Sequence, residues 1–245
     1  HAGRAAVAAA HVKAASELAF FYVSGHGVSA QLCADAMAAS RRFFELPEAA
    51  KAGITVDRHQ RGWMAQGLAN LEGSATHDAK EVFFWGRDVD ADDEAVMALG
   101  LRILECLAIG LDADLAIFTR AYDRPLGRGQ LVYYPAIGEA DVRAERFGAA
   151  AHTDFGVLTI LQQDDLGGLQ VLNRSGDWIE AMPIEDTFVC NIGDLLERWT
   201  NGRLVSTRHR VLNRSGRSRY SIPIFCDPAS DAVVDPRDFD RHADI

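Results

Sequence analysis

With 245 residues, 48% of them hydrophobic, the chain has enough material for one large packed domain or two small ones. Thirty-five acidic against twenty-five basic side chains leave a net charge of -10, which disfavours broad contact with phosphate backbones or anionic membranes, so no nucleic acid and no membrane partner is expected. The most apolar stretch, Leu99 to Phe118, is broken by Arg102, Glu105, Asp112 and Asp114 and falls short of the roughly eighteen uninterrupted residues of a membrane span.

In chain order, Ala5 to Phe20 is alanine-rich and predicts a helix. Phe20 to Val23 is a short aromatic and β-branched run ending in Gly25-His26-Gly27, the pattern of a strand entering a turn. Ala30 to Phe44 repeats apolar residues at helical spacing, and a second helix-rich piece runs from about Val96 to Tyr122. Arg87 to Glu94, with Asp88, Asp90, Asp92 and Asp93, predicts a solvated loop. From Gly129 the texture changes to short β-rich runs, at Leu131 to Tyr134, Val157 to Gln162, Leu169 to Leu172, Thr187 to Ile192 and Tyr220 to Phe225, separated by Gly, Asn, Asp and Pro. Such spacing predicts an antiparallel sandwich or barrel of the jelly-roll kind, a mostly β core with flanking helices. Cys33, Cys106, Cys190 and Cys226 form no C-x-x-C pair and each lies in apolar sequence. They are expected to be buried thiols, which suits a cytoplasmic protein. No signal-peptide pattern is read at the start, where the chain opens at His1.

The chemistry is concentrated in His152-Thr153-Asp154. Side chains two apart on an extended backbone share a face, so an imidazole and a carboxylate can converge on one ion. His209, in the extended-looking segment Thr207 to Val211, supplies a candidate third ligand. Two histidines and one carboxylate make a facial triad with open positions, the arrangement suited to non-haem iron, whereas a structural zinc would want four protein ligands. An H-x-D alone is a weak signal. It gains weight from Arg219-Tyr220-Ser221, again two apart on a predicted strand. An arginine fork and a hydroxyl directed into a barrel make a carboxylate receptor; the alternative is that Arg219 pairs with an internal Asp or Glu.

His152 to Gly156, Asn191-Ile192-Gly193-Asp194, Ser206 to Val211 and Arg219-Tyr220-Ser221 together closely resemble the isopenicillin N synthase-like branch of the iron(II)/2-oxoglutarate-dependent dioxygenases. Phe20 to Val28, Arg61-Gly62-Trp63 and Asp78 to Phe83 resemble further segments of that family, so nearly the whole chain is covered. The resemblance implies a double-stranded β-helix core over 126–245, with a mainly helical region over 1–125 packing on it as one structural unit. It implies Fe(II) held by His152, Asp154 and His209, which are then both the metal ligands and the catalytic residues. It also implies 2-oxoglutarate bound through Arg219, Ser221 and Tyr134, and a monomer acting on a C–H bond of a small-molecule substrate with dioxygen. Hydroxylation is the commonest outcome; desaturation or cyclisation would use the same site. Asn191 and Asp194 are expected to shape a turn, and Phe155, Leu161 and Phe225 are candidates for the pocket wall or the core.

The chain departs from the family in Val132, where plant members carry asparagine, in lacking a V-P-x-I-D-L-like strand before Ala5, and in a short Trp85 to Leu99 region. The last predicts a break or loosely ordered cover between Arg87 and Glu94. Three alternatives stay open. A same-fold iron oxidase would not consume 2-oxoglutarate, a zinc hydrolase would need a general base that is not evident, and a ligand-binding jelly roll would carry a relic triad.

Overall fold

The computed structural model describes residues 2–68, 78–86, 95–138 and 147–240. Arg87 to Glu94, the expected solvated loop and break, lies outside them. Helix α1 (Ala2–Glu17) leads into β1 (Phe20–Ser24), α2 (Ala30–Phe44) and the single turn α3 (Glu48–Lys51). Next come β2 (Gly62–Met64), β3 (Glu81–Gly86), α4 (Ala95–Gly110) and α5 (Ala116–Ala121). The second half carries β4 (Leu126–Tyr134), β5 (Ala149–His152), β6 (Leu158–Gln163), β7 (Leu169–Leu172), β8 (Trp178–Glu180) and β9 (Thr187–Ile192). Helix α6 (Asp194–Trp199), β10 (His209–Val211) and β11 (Arg219–Asp227) complete it.

The strands form a seven-stranded sheet in the order β1-β9-β6-β11-β4-β3-β2 and a four-stranded sheet in the order β5-β10-β7-β8. Every ladder in both sheets is antiparallel. From β4 onward successive strands alternate between the two sheets, apart from β7 and β8, which pair as neighbours in the smaller one; this is the double-stranded β-helix. Residues before 126 contribute more than helices: β1 pairs with β9, and β3 pairs with β4 to extend the larger sheet. Pro223 sits inside β11, where it faces Leu161 of β6, while the ladder to β4 is interrupted at 222–223. A residue without an N–H can stand in a central strand only on such terms.

Helix α2 begins as its sequence asks: Ser29 caps it by accepting the Leu32 N–H at 3.5 Å. Gly25 and Gly27, both at positive φ, make the predicted turn before it. Helix α4 buries Leu104, Leu107 and Ala108 completely and lies so close to β11 that a Cβ on Gly100 would come within 2.7 Å of Cys226 Sγ. The helix-rich stretch 96–122 is two helices, α4 and α5, with Asp112 at positive φ between them.

Three features depart from the sequence reading. β4 starts at Leu126 rather than Leu131, because Gly127 and Gly129 mask a strand that is paired on both sides. β5 is built from alanines, residues of low strand propensity, and its extended form comes from pairing with β10. Of the four cysteines only Cys190 and Cys226 are buried; Cys33 and Cys106 are half-buried, a correction to the expectation. Burial pushes the Cys190 thiol well above its usual range. Among the described residues no helix is long and apolar enough to cross a membrane.

Candidate metal centre and adjoining cavity

His152 closes β5 and His209 opens β10, and the two are directly paired across the smaller sheet. Their rings stand 4.3 Å apart between centroids. A register irregularity falls between His209 and Val211, the kind of local bend that re-aims a side chain. Asp154 lies outside any strand. The two-residue spacing therefore does not act through strand alternation: the chain leaves β5 after His152 and turns the carboxylate back. Asp154 Oδ1 lies 3.9 Å from His152 Nε2 and 3.7 Å from His209 Nε2, and one ligand atom from each residue falls within 4.8 Å of the others.

Hydrogen bonds decide which atoms face that centre. His152 Nδ1 is 2.7 Å from the Ala150 carbonyl and His209 Nδ1 is 3.2 Å from the Thr207 carbonyl, so each Nδ1 carries the donated proton and each Nε2 keeps its lone pair. Asp154 Oδ2 accepts from Thr159 Oγ1 at 2.6 Å and Asn191 Nδ2 at 2.7 Å, leaving Oδ1 for the centre. Burial, reinforced by the neighbouring His209 imidazole, pushes the His152 pKa down to about 4, which keeps that ring neutral at ordinary pH. Burial by itself would raise Asp154; the His209 ring and the Asn191 and Thr159 hydrogen bonds outweigh it and hold the carboxyl below its usual range. Two imidazole nitrogens and one carboxylate oxygen, each oriented by an outer partner, fit a divalent ion with open positions.

Arg219 begins β11 at 1% exposure, opposite Tyr134 of β4. Its Nε donates to the Gly167 carbonyl at 2.6 Å and its Nη2 to Gln163 Oε1 at 3.2 Å. The guanidinium carbon lies 4.9 Å from the centre of the Tyr134 ring. Nη1 is buried without a hydrogen-bond partner, and no carboxylate lies within ion-pair reach of Arg219 among the described residues. The internal Asp or Glu partner that the sequence left open is thus not found among them. A buried cationic donor without an acceptor costs several kcal/mol, of order 3 to 5, and an anion reaching Nη1 from the cavity would relieve that cost. Ser221, 2% exposed, follows on the same face of β11.

One cavity of about 300 Å³ joins these groups: His152, Asp154, His209, Arg219, Ser221 and Tyr134 all line it. Phe155, Leu161 and Phe225 line it too, and Phe155 is 76% exposed, so it belongs to the wall rather than the core. Sequence reasoning missed the outer partners. Asn191, assigned to a turn, holds Asp154; Thr159 carried no signal beyond its strand. Asp78, buried at 1%, accepts the Ala150 N–H at 2.9 Å and so anchors the strand that carries His152. Arg210 stacks between Trp178 and Phe147, 4.1 and 4.9 Å from the ring centres.

The 2OG-Fe(II) oxygenase superfamily matches residues 129–228, and the non-haem dioxygenase in morphine synthesis N-terminal family matches residues 1–101. A probable iron/ascorbate oxidoreductase of Dictyostelium discoideum is 35% identical over 267 residues, covering 88% of this chain and 73% of that protein. A homoarginine-6-hydroxylase of Oryza sativa subsp. japonica is 34% identical over 263 residues, covering 93% and 79%. The crystal structure of a full-length Neurospora crassa protein in complex with alpha-KG and 5-formyluracil superimposes with a TM-score of 0.83 at 28% identity, covering 93% of this chain and 80% of that one.

Proposed function

This chain belongs to the 2-oxoglutarate/iron(II)-dependent oxygenase superfamily, and from that premise we propose that it oxidises a C–H bond of a small organic substrate, hydroxylation being the commonest outcome, with His152, Asp154 and His209 as iron ligands. Dioxygen, activated at bound iron(II), would supply the oxidising equivalents, two of them consumed in converting 2-oxoglutarate to succinate and carbon dioxide and two in oxidising the substrate C–H bond. His152 and His209 offer Nε2, and Asp154 offers Oδ1 while Asn191 and Thr159 hold its other oxygen. Arg219 takes the distal carboxylate of 2-oxoglutarate through Nη1, with Ser221 and Tyr134 beside it. Gln163 and the Gly167 carbonyl hold the guanidinium in place beforehand, so little ordering is needed on binding. Phe20, Leu161, Leu169 and Phe225 limit water in the cavity.

The observation that carries this reading is the unpartnered, buried Arg219 Nη1 in the cavity that also holds the triad. The cavity wall draws on both 1–125 and 126–245, which supports one structural unit. Four cysteines outside any disulfide fit a reducing compartment and support a cytoplasmic location.

The test is Arg219→Ala. The variant should bind 2-oxoglutarate about two to three orders of magnitude more weakly, since losing one partner of a buried pair costs about 3 to 5 kcal/mol, while iron binding changes little. Ser221→Ala should act in the same direction by about 1.5 to 3 kcal/mol. Anaerobic titration of the iron enzyme reads the affinity, and labelled 2-oxoglutarate followed into succinate during aerobic turnover reads the chemistry. An active wild type that neither binds 2-oxoglutarate nor forms labelled succinate would transfer the assignment to the oxidase alternative and leave the triad standing.

A further inference from the structure

Among the described residues four lysine and arginine side chains line the cavity: Arg61, Lys80, Arg128 and Arg219. Two of them have carboxylate partners within the chain. Lys80 Nζ lies 3.0 Å from Asp78 Oδ2, and Arg128 Nη2 donates to Asp227 Oδ2 at 2.7 Å. Arg219 is assigned above to 2-oxoglutarate. Arg61 stands apart: its Nη1 donates to the carbonyls of His59 at 3.1 Å and Gln60 at 3.4 Å, and among the described residues its guanidinium makes no ion pair, the exposed Asp57 carboxylate being held by the backbone N–H groups of Arg61 and His59 with the Arg61 charge a weaker influence on it. The guanidinium is positioned by backbone alone, with Nε and Nη2 unbonded to any described residue. It lies across the last residue of β3, where a Cβ on Gly86 would collide with it. The neighbouring ring of Trp85 lies across Gly129 of β4 in the same way. Two glycines on adjacent strands thus leave room for a cation and an indole side by side in the wall. Phe155, next to Asp154 and 76% exposed, adds a second ring to that wall.

We propose that the primary substrate carries a carboxylate, received by Arg61, and an apolar body that covers Trp85 and Phe155. The proposal rests on the preceding reading, because it requires Arg219 to be committed to the co-substrate. A guanidinium held in a fixed place with its Nε/Nη2 edge free is complementary to a planar anion and offers a neutral amide no charge-assisted bond. The rings bury the apolar remainder, whose own exposure in water would be unfavourable.

The experiment uses the full chain loaded with Mn(II) and saturating 2-oxoglutarate, titrated calorimetrically with benzoate, 3-phenylpropionate, cinnamate and hexanoate, each against its primary amide. At least one acid should bind more tightly than its amide by about tenfold or more. Arg61→Gln should erase that preference, Arg61→Lys should keep part of it, and neither should move the 2-oxoglutarate affinity. Equal binding of acids and amides, no binding by any acid, or an acid preference that survives Arg61→Gln would each overturn the proposal. So would an acid that 2-oxoglutarate displaces competitively, because it would then be occupying the Arg219 site. The wild-type comparison of acid with amide stands even if a variant fails to fold. Failure of the underlying reading is seen separately, as a wild type that does not bind 2-oxoglutarate before any acid is added.

Discussion

Asp154 is the residue on which the proposed centre turns, because it is the one carboxylate among the three candidate ligands and it stands outside any strand. Its orientation depends on two neutral donors, Thr159 Oγ1 and Asn191 Nδ2, both on Oδ2. Removing either frees the carboxylate to rotate and leaves a buried oxygen short of a partner. Asn191→Ala should weaken metal binding by about 10- to 100-fold, and Thr159→Val should do so in the same direction. Anaerobic titration with Fe(II) or Mn(II) checks this, and an unchanged metal affinity in both variants would remove Asn191 and Thr159 from the support of the centre. The sequence flagged Asn191 through the Asn191-Ile192-Gly193-Asp194 motif but could not assign its target, because Asp154 is far from it along the chain.

At the scale of elements, the start of α6 clamps the loop that carries Asp154. The Asp194 N–H donates to the Asp154 carbonyl at 2.8 Å, the Gly193 N–H to the Val157 carbonyl at 3.1 Å, and Thr153 Oγ1 to Asp194 Oδ2 at 3.0 Å. This close approach requires glycine at 193: an added Cβ would run into the Gly156 carbonyl and come within 2.8 Å of the Asp154 carbonyl oxygen. Both obstacles are backbone and cannot swing aside. Gly193→Ala should therefore destabilise the protein by about 1 to 3 kcal/mol and also weaken metal binding. Urea denaturation with and without Mn(II) separates the two effects, because the stabilisation by a given metal concentration shrinks when the affinity falls. A variant as stable as the wild type in both conditions would contradict the packing described. The turn reading of Asn191 to Asp194 is corrected: Asn191 and Ile192 end β9 and Asp194 opens α6, so only Gly193 lies between the two elements, and what this junction holds in place came only with the fold.

Over the whole molecule, the two ends of the chain build one cavity. Arg61, Lys80 and Trp85 come from before residue 126, and the triad and Arg219 from after it. A fragment of 126–245 alone would lose β1 from the edge of β9 and β3 from the edge of β4, and with α4 the apolar cover of β6 and β11. Exposed strand edges and uncovered apolar faces favour aggregation. The fragment is expected to be insoluble or molten, with no metal-dependent stabilisation by circular dichroism, and a soluble, cooperatively folding fragment that binds Mn(II) would show the core to be self-sufficient. The jelly-roll class and the helix over 30–44 were legible in the sequence because periodicity is local, and His152-Thr153-Asp154 and Arg219-Tyr220-Ser221 stood out as short motifs; His209 lies far from both along the chain, and only the β5-β10 pairing sets it beside His152. The strand made of alanines at 149–152, the donors on Asp154, the free Nη1 of Arg219 and the position of Arg61 were not legible. Each is a relation between residues distant in sequence, and only the packing of one strand or loop against another decides which side chains meet and which buried groups are left unpaired.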